Sequence, residues 1–203
     1  MSLGKETIMT DKKVAVLMAS GFEEVETLSI VDFLRRADIS VDMIAVSDDL
    51  KVVGSHNIPI YADFFLDELE TNSNQYEMIV LPGGLPGATN LRDNEIVINL
   101  IKNQVKQERY VAAICAAPIV LARAGLCQNK RGTSYPGFEK ELDFDQYLEE
   151  LVVQDDKIIT SRGPATAIYF ALHLIEVLAG KEKRDEIANG LLIPLLEENI
   201  KES

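Results

Sequence analysis

The stretch Tyr110 to Pro118, YVAAICAAP, decides how the rest of the chain is read. Tyr110 to Ile114 is a short, nearly continuous apolar run, the pattern of a strand covered on both faces of a sheet. Cys115 follows at once. Pro118 suits the first turn of a helix that runs to about Ala124, with Gly125 as its stop. A cysteine on so tight a strand-to-helix turn holds its sulfur out at the end of the sheet, as the serine of a nucleophile elbow is held. The helix behind it turns free N–H groups toward the sulfur, and cysteines so placed have pKa values lowered to about 3.5–7.5. The competing assignment is a buried small hydrophobe, the usual fate of a free cysteine.

Outward from this turn the same alternation recurs. Lys13 to Met18 (KVAVLM) is a first buried strand, and Ser20-Gly21 turns into a helix from about Glu23 to Ala37. Glu23, Glu24 and Glu26 stand at its start and Arg35 and Arg36 at its end, where the helix dipole favours each charge. Val41 to Val46 is a second strand. Lys51 to Tyr61, with Gly54 and Pro59, is a hairpin or edge excursion. Met78 to Leu81 is another buried strand, ended by Pro82-Gly83-Gly84, and a helix follows from Glu95 to Gln107. Ile158 to Thr160 is a late strand, ended by Ser161-Arg162-Gly163-Pro164. Ala165 to Leu178 is a helix capped by Gly180, and Lys181 to Ile200 forms one or two short helices around Pro194. Charges and Gly/Pro break any period between Arg131 and Asp156. Strands alternating with amphipathic helices predict an α/β protein with a mostly parallel sheet, a single domain over 13–203. Met1 to Lys12 is expected to be a leader ahead of it, with Met9 as a candidate start and no signal-peptide core.

Composition limits the function classes. Of 203 residues 47% are hydrophobic and 26% charged, which excludes a disordered chain and supplies a sizeable core. Acidic residues outnumber basic ones 33 to 20, for a formal charge of -13. Phosphate backbones are bound by Lys and Arg, so neither a nucleic acid nor an anionic membrane surface is an expected partner. Two cysteines and two histidines, scattered along the chain, make no disulfide framework and no structural zinc site, and no metal is expected. No apolar run approaches the ~20 residues a bilayer span requires. A reducing cytoplasm is the expected location.

In open parallel sheets ligands bind beyond the carboxyl ends of the strands. Three features should meet there: Ser20 to Glu26 after the first strand, Pro82-Gly83-Gly84 after a central one, and Cys115 after the next. Cys127, beside polar Gln128 and Asn129, has no such setting and is an incidental thiol. The glycine turn fits neither GxGxxG nor GxxxxGK[ST], so it is a poor phosphate loop.

Four ordered segments carry a resemblance: GFEEVET (Gly21 to Thr27), LPGGLPGATNL (Leu81 to Leu91), AAICAAP (Ala112 to Pro118) and TSRGPATA (Thr160 to Ala167). From about Lys13 to Pro194 the chain resembles the ThiJ/PfpI superfamily, and more narrowly its Parkinsonism-associated deglycase branch. That resemblance implies a flavodoxin-like three-layer α/β sandwich, usually a homodimer. Position by position, it implies that Cys115 is a nucleophilic, oxidisable cysteine and Glu26 the acid beside it. A Glu near a thiolate in an enclosed crevice has its pKa raised by desolvation and by like charge, so it can hold a proton and move it. Gly83 and Gly84 match the family's glycine turn, whose N–H groups, with that of Ala116, would stabilise an oxyanion or a sulfinate. Glu23 and Glu24 are solvated first-turn charges.

The departures from the superfamily's pattern narrow the function. Its protease-like members place a histidine directly after the cysteine, whereas Ala116 stands here. His173 lies mid-helix and is structural or superficial. His56, in the excursion, aligns with an arginine of the resembled branch, and Tyr135 stands where some members contribute a pocket histidine. Arg162 matches a residue at the pocket rim and dimer interface, where it would bind an anion or form an interface salt bridge. Peptidase or amidase activity is thereby disfavoured, and an ATP-dependent role in thiamine-precursor synthesis has no phosphate loop to support it. The resemblance implies a cofactor-independent enzyme that acts on small reactive aldehydes or glycated adducts, of glyoxalase III or deglycase type. The alternative is an oxidative-stress sensor or holdase chaperone working through oxidation of Cys115.

Overall fold

The computed structural model of the chain describes residues 12–72 and 75–201; the expected leader, Lys12 apart, lies outside them. The first half runs β1 Lys13–Met18, α1 Glu24–Arg36, β2 Ser40–Ala45, β3 Lys51–Val53, β4 Pro59–Tyr61, β5 Phe64–Phe65 and α2 Leu66–Asn72. It continues with β6 Tyr76–Leu81, α3 Gly87–Arg92, α4 Glu95–Lys106, β7 Tyr110–Ile114 and α5 Pro118–Arg123. The last third holds β8 Arg131–Gly132, β9 Gln146–Tyr147, β10 Val152–Asp155, β11 Ile158–Ser161, α6 Ala167–Ala179, α7 Lys181–Gly190 and α8 Ile193–Lys201.

Seven strands form the central sheet in the order β10-β11-β7-β6-β1-β2-β5. Every pairing is parallel except β10 with β11, which turns back on itself at the edge. Counted along the chain, the parallel core β2-β1-β6-β7-β11 has the 2-1-3-4-5 order of flavodoxin-like folds. The step from β1 to β2 runs one way along the sheet, and the steps from β6 to β7 and from β7 to β11 run the other. Right-handed crossovers therefore put α1 on one face and α4 and α5 on the opposite face. Packing agrees: α1 lies against α6 and α6 against α7, while α3, α4 and α5 pack together. The result is the three-layer sandwich expected from the sequence.

Burial explains why β1 and β7 read as unbroken apolar runs. Val14 to Met18 and Val111 to Ile114 are completely enclosed, with a helical layer on either side. α1 turns Ile30, Val31 and Leu34 inward at helical spacing. α4 starts at Asn94, whose side chain accepts the backbone N–H of Ile96 and of Val97 at 3.0 and 3.2 Å.

The expected excursion is an antiparallel hairpin of β3 and β4, with Lys51 opposite Tyr61. Its Val52 joins Met18, Phe22, Ala45 and Ala62 in a small cluster at the carboxyl end of β1. That packing lays Ser55 and His56 over the start of α1. The segment without period, Arg131 to Asp156, contributes β8, β9 and the edge strand β10. Among the described residues no helix is long and apolar enough to cross a membrane.

Candidate active site

The switch point of the sheet lies between β1 and β6, where successive crossovers leave in opposite directions, and such crevices are where ligands bind. The loop after β1 and the Pro82-Gly83-Gly84 turn after β6 are locked together there. The Glu23 N–H donates to the Gly83 carbonyl at 2.9 Å, and the Gly87 N–H to the Gly21 carbonyl at 3.2 Å. Gly84 has a φ of +86°, and a Cβ on it would strike the Glu23 nitrogen. Gly83 faces the other way: a Cβ there would lie 2.6 Å from the Cys115 Cβ and 2.8 Å from Glu26 Oε2. The two glycines are therefore what lets three segments converge.

Cys115 sits on the expected elbow. Its φ is +64°, a left-handed backbone that costs a non-glycine residue of order 1–3 kcal/mol. Both of its peptide groups are held. The Cys115 N–H donates to the Ser161 carbonyl at 3.0 Å, and its carbonyl accepts the Tyr135 N–H at 2.8 Å. The side chain is 9% exposed and opens onto a cleft of about 630 Å³. Val25, Leu85, Ala116, Tyr135, Phe138 and Pro164 supply its apolar walls, and Glu23, Ser55 and His56 a polar edge.

Glu26, the third residue of α1, is fully buried. Its Oε2 accepts the Gly83 N–H at 2.8 Å. Its Oε1 is buried without a hydrogen-bond partner of good geometry. The Cys115 thiol is nonetheless close enough for each group to perturb the other's ionisation. Desolvation pushes the Glu26 carboxyl up to about 7, against the Gly83 N–H and the Cys115 thiol, which favour its ionised form; the charge of Glu23 adds to the rise.

The thiol departs from the lowered pKa expected of it. Desolvation, then the charge and hydrogen bond of Glu26, push it up, while the Ala116 and Gly84 N–H groups pull the other way. The helix behind the elbow is only six residues long, so its field does not outweigh burial beside a carboxylate. A charge on Glu26 therefore holds the Cys115 proton in place.

Other expected site residues are placed with differences. Gly84 and Ala116 direct their N–H groups at the sulfur, whereas the Gly83 N–H is committed to Glu26 and does not open on the cleft. Tyr135 lines the cleft with its ring and also fixes the elbow through its backbone. Arg162 is not among the lining residues, because the turn after β11 ties its N–H to the Thr166 hydroxyl at 3.2 Å. Its buried Nη1 has no partner among the described residues. His173 is half-buried and bonded to Gln154 Oε1 at 2.7 Å, a structural role. Cys127 is enclosed in the core.

Glu23 and Glu24 are not the solvated charges expected of a first turn; the hairpin covers both. Glu24 Oε1 accepts the His56 N–H at 2.8 Å and the Ile58 N–H at 3.3 Å, and Glu24 Oε2 lies 2.9 Å from His56 Nδ1. Against the desolvation that burial imposes, the His56 ring and these N–H groups hold Glu24 down to about 2. The Ser55 hydroxyl donates to Glu23 Oε2 at 3.1 Å. Glu23, Glu24 and His56 offer three donor atoms within 4.8 Å of one another, but these atoms already satisfy each other. From sequence alone Ser55 has no assigned role and Glu24 none beyond a first-turn charge; two acids opposite a hairpin that carries a histidine are the signal that was available.

The comparisons with known proteins fit this geometry. Toxoplasma gondii DJ-1, in its oxidized form, superposes with a TM-score of 0.85 and 40% identity, over 89% of this chain and 98% of that one. Protein DJ-1 homolog B of Arabidopsis thaliana is 38% identical over 89% of this chain, which spans only 41% of that protein's length. A relative from Schizosaccharomyces pombe, named Glutathione-independent glyoxalase DJ-1, is 30% identical over 90% of this chain and 99% of its own. The sequence profile of the DJ-1/PfpI family matches residues 12–177. With the cysteine elbow, the glycine turn and the buried acid in register on a flavodoxin-like sheet, the chain belongs to the DJ-1/PfpI family.

Proposed function

We propose that the protein converts α-oxoaldehydes such as methylglyoxal to 2-hydroxy acids without a cofactor, through Cys115 and Glu26. The observation that carries this reading is a fully buried carboxyl, poised near neutrality, against a cysteine at the floor of an open cleft. A general acid–base works best when its pKa lies near the working pH. The name of the Schizosaccharomyces pombe relative supports the same chemistry.

In the first step the Glu26 carboxylate takes the thiol proton as the sulfur attacks the aldehyde carbon. The C=O π bond breaks, its oxygen gains a proton, and a hemithioacetal forms. Having given the thiol proton to that oxygen, Glu26 is ionised again. It removes the hydrogen on the carbon as a proton, leaving an enediolate, and returns it to the adjacent carbon, while the hydroxyl proton of the first carbon passes to the oxygen of the second. The first carbon is oxidised to a thioester and the second reduced to an alcohol, so no outside oxidant or reductant is consumed. Water cleaves the thioester, giving the 2-hydroxy acid and the free thiol. The N–H groups of Gly84 and Ala116 stabilise the oxygen and sulfur charge that develops beside them. A glycated amine enters the same route once its hemiaminal expels the amine and regenerates the free aldehyde.

A sensor role through oxidation of Cys115 is the weaker reading. Oxidation favours low-pKa thiolates, and burial beside Glu26 pushes this thiol up. Homodimerisation belongs to the proposal: Val25, Leu28, Val53, Ile58 and Tyr61 expose apolar side chains on α1 and the β3–β4 hairpin. Sedimentation as a dimer supports that assembly, and a monomer at micromolar concentration rejects it. For the activity, lactate formation from methylglyoxal is followed by NMR. Turnover that vanishes in Cys115→Ala and falls at least a hundredfold in Glu26→Gln supports the proposal. Equal turnover in Cys115→Ala, or none in the wild type, ends it.

A further inference from the structure

We infer that the cleft is built for α-oxoaldehydes bearing an apolar, preferably aryl, substituent, and that methylglyoxal and glyoxal are its poorer substrates. This rests on the function proposed above and names the substrate class of that site. The first ground is size. A cleft of about 630 Å³ falls within the ~300–1,000 Å³ of pockets that take drug-sized ligands, far more than a three-carbon aldehyde fills.

The second ground is the distribution of polarity. Polar groups gather in two places: the N–H groups of Gly84 and Ala116 at the sulfur, and the edge formed by Glu23, Ser55 and His56. At that edge the Ser55 hydroxyl, His56 Nδ1 and the carboxylates of Glu23 and Glu24 are bonded to one another. It offers a neutral substituent little to bond, and the two carboxylates repel an anionic one. Val25, Leu85, Ala116, Tyr135, Phe138 and Pro164 form the other walls, with no polar side-chain atom other than the tyrosine hydroxyl.

The third ground is exposure beside the reactive atom. Leu85 is 54% and Tyr135 46% exposed, an apolar surface left open to water next to the cysteine. A hydrated two- or three-carbon α-oxoaldehyde covers little of it. An aromatic ring attached to the ketone carbon, with the aldehyde at the sulfur, extends along these walls and removes apolar surface from water on both sides.

The test compares phenylglyoxal with methylglyoxal and glyoxal in steady-state assays, each corrected for Cys115→Ala. The expected kcat/KM for phenylglyoxal is at least tenfold above that for methylglyoxal, and the ratio falls at least fivefold in Leu85→Ser. A second readout does not need turnover: the rates at which N-phenylmaleimide and N-methylmaleimide alkylate Cys115, each divided by its rate with N-acetylcysteine. A normalised phenyl-to-methyl ratio above ten supports an aryl-binding cleft. Turnover of all three aldehydes with equal kcat/KM overturns the inference while leaving the proposed activity standing. A maleimide ratio near one overturns it independently. Aryl preference in alkylation with no aldehyde turnover upholds the cleft's apolar recognition and rejects the activity.

Discussion

Glu26 is held in a state that weakens the fold, and replacing it with glutamine should reveal by how much. A carboxyl whose pKa is raised on folding binds more protons in the folded than in the unfolded chain between the two values, so stability falls as pH rises through that window. The rise here is from 4.5 to about 7. At 1.36 kcal/mol per pH unit this amounts to ~3 kcal/mol once the pH is above both values. Well below 4.5 the acid is protonated in both states and the cost is absent. Glutamine keeps the shape and stays neutral, its carbonyl accepting the Gly83 N–H in place of Oε2. Glu26→Gln should therefore be more stable than wild type by about 3 kcal/mol at pH 8 and by about 1 kcal/mol at pH 5.5. Urea unfolding at several pH values, with equal m-values checked, measures the difference. A gap that stays flat with pH, or a variant less stable than wild type at pH 8, would refute the desolvation argument.

Two other perturbations follow from the same contacts. Gly83→Ala pushes a methyl group against the Cys115 Cβ and Glu26 Oε2, and a misplacement of ~1 Å at such a pair costs on the order of a hundredfold in rate; steady-state kinetics and a thermal melt should both register the loss. Glu24 behaves oppositely to Glu26. Its carboxyl is held down to about 2, so it contributes stability above the ordinary Glu range that is lost as pH falls toward 2. The exposed His56 ring screens part of this, and Glu24→Gln should cost about 2 kcal/mol at pH 7 and progressively less in acid, read by the same urea series.

The central strands were legible because they are covered on both faces. KVAVLM and YVAAI read as continuous apolar runs, and their observed limits match the expected ones. The elbow was legible from the order strand, cysteine, proline. The edge was not. β10 lies beyond the last parallel strand, in a segment whose charges hide any period, yet VVQDDKII carried a hairpin signal. Asp156 has a φ of +55° in the two-residue turn between β10 and β11, a conformation that Asp tolerates. Short elements such as β5, α2 and α3 have too few residues to show a period at all.

At the site, chain order put the start of α1, the glycine turn and Cys115 at one end of the sheet, and the family resemblance paired Glu26 with the cysteine. They did not indicate where each proton resides. That depends on burial and on which N–H faces which atom, quantities set by packing. The sequence pattern of an elbow implies an activated thiolate, but the structure encloses the sulfur beside a carboxylate and reverses the shift. Likewise, first-turn acids on a helix usually face water, and only the hairpin laid over α1 turns Glu23 and Glu24 inward. Gly83 was expected to present its N–H to the reacting centre; instead that N–H holds the Glu26 carboxyl.

The account depends on the sulfur making the carbon bond and the acid moving the proton afterwards. Intact-protein and peptide mass spectrometry of Glu26→Gln treated with methylglyoxal tests both at once. Without the carboxylate, thiol addition is slower but the C–H abstraction that follows it stops. On prolonged incubation in excess aldehyde one molecule should therefore accumulate on Cys115 as the hemithioacetal, seen in native intact-mass spectra and as protection of Cys115 from a brief iodoacetamide pulse, while wild-type protein under the same conditions releases lactate. Glu26→Gln that carries no adduct on Cys115, or that turns over as fast as wild type, would contradict it.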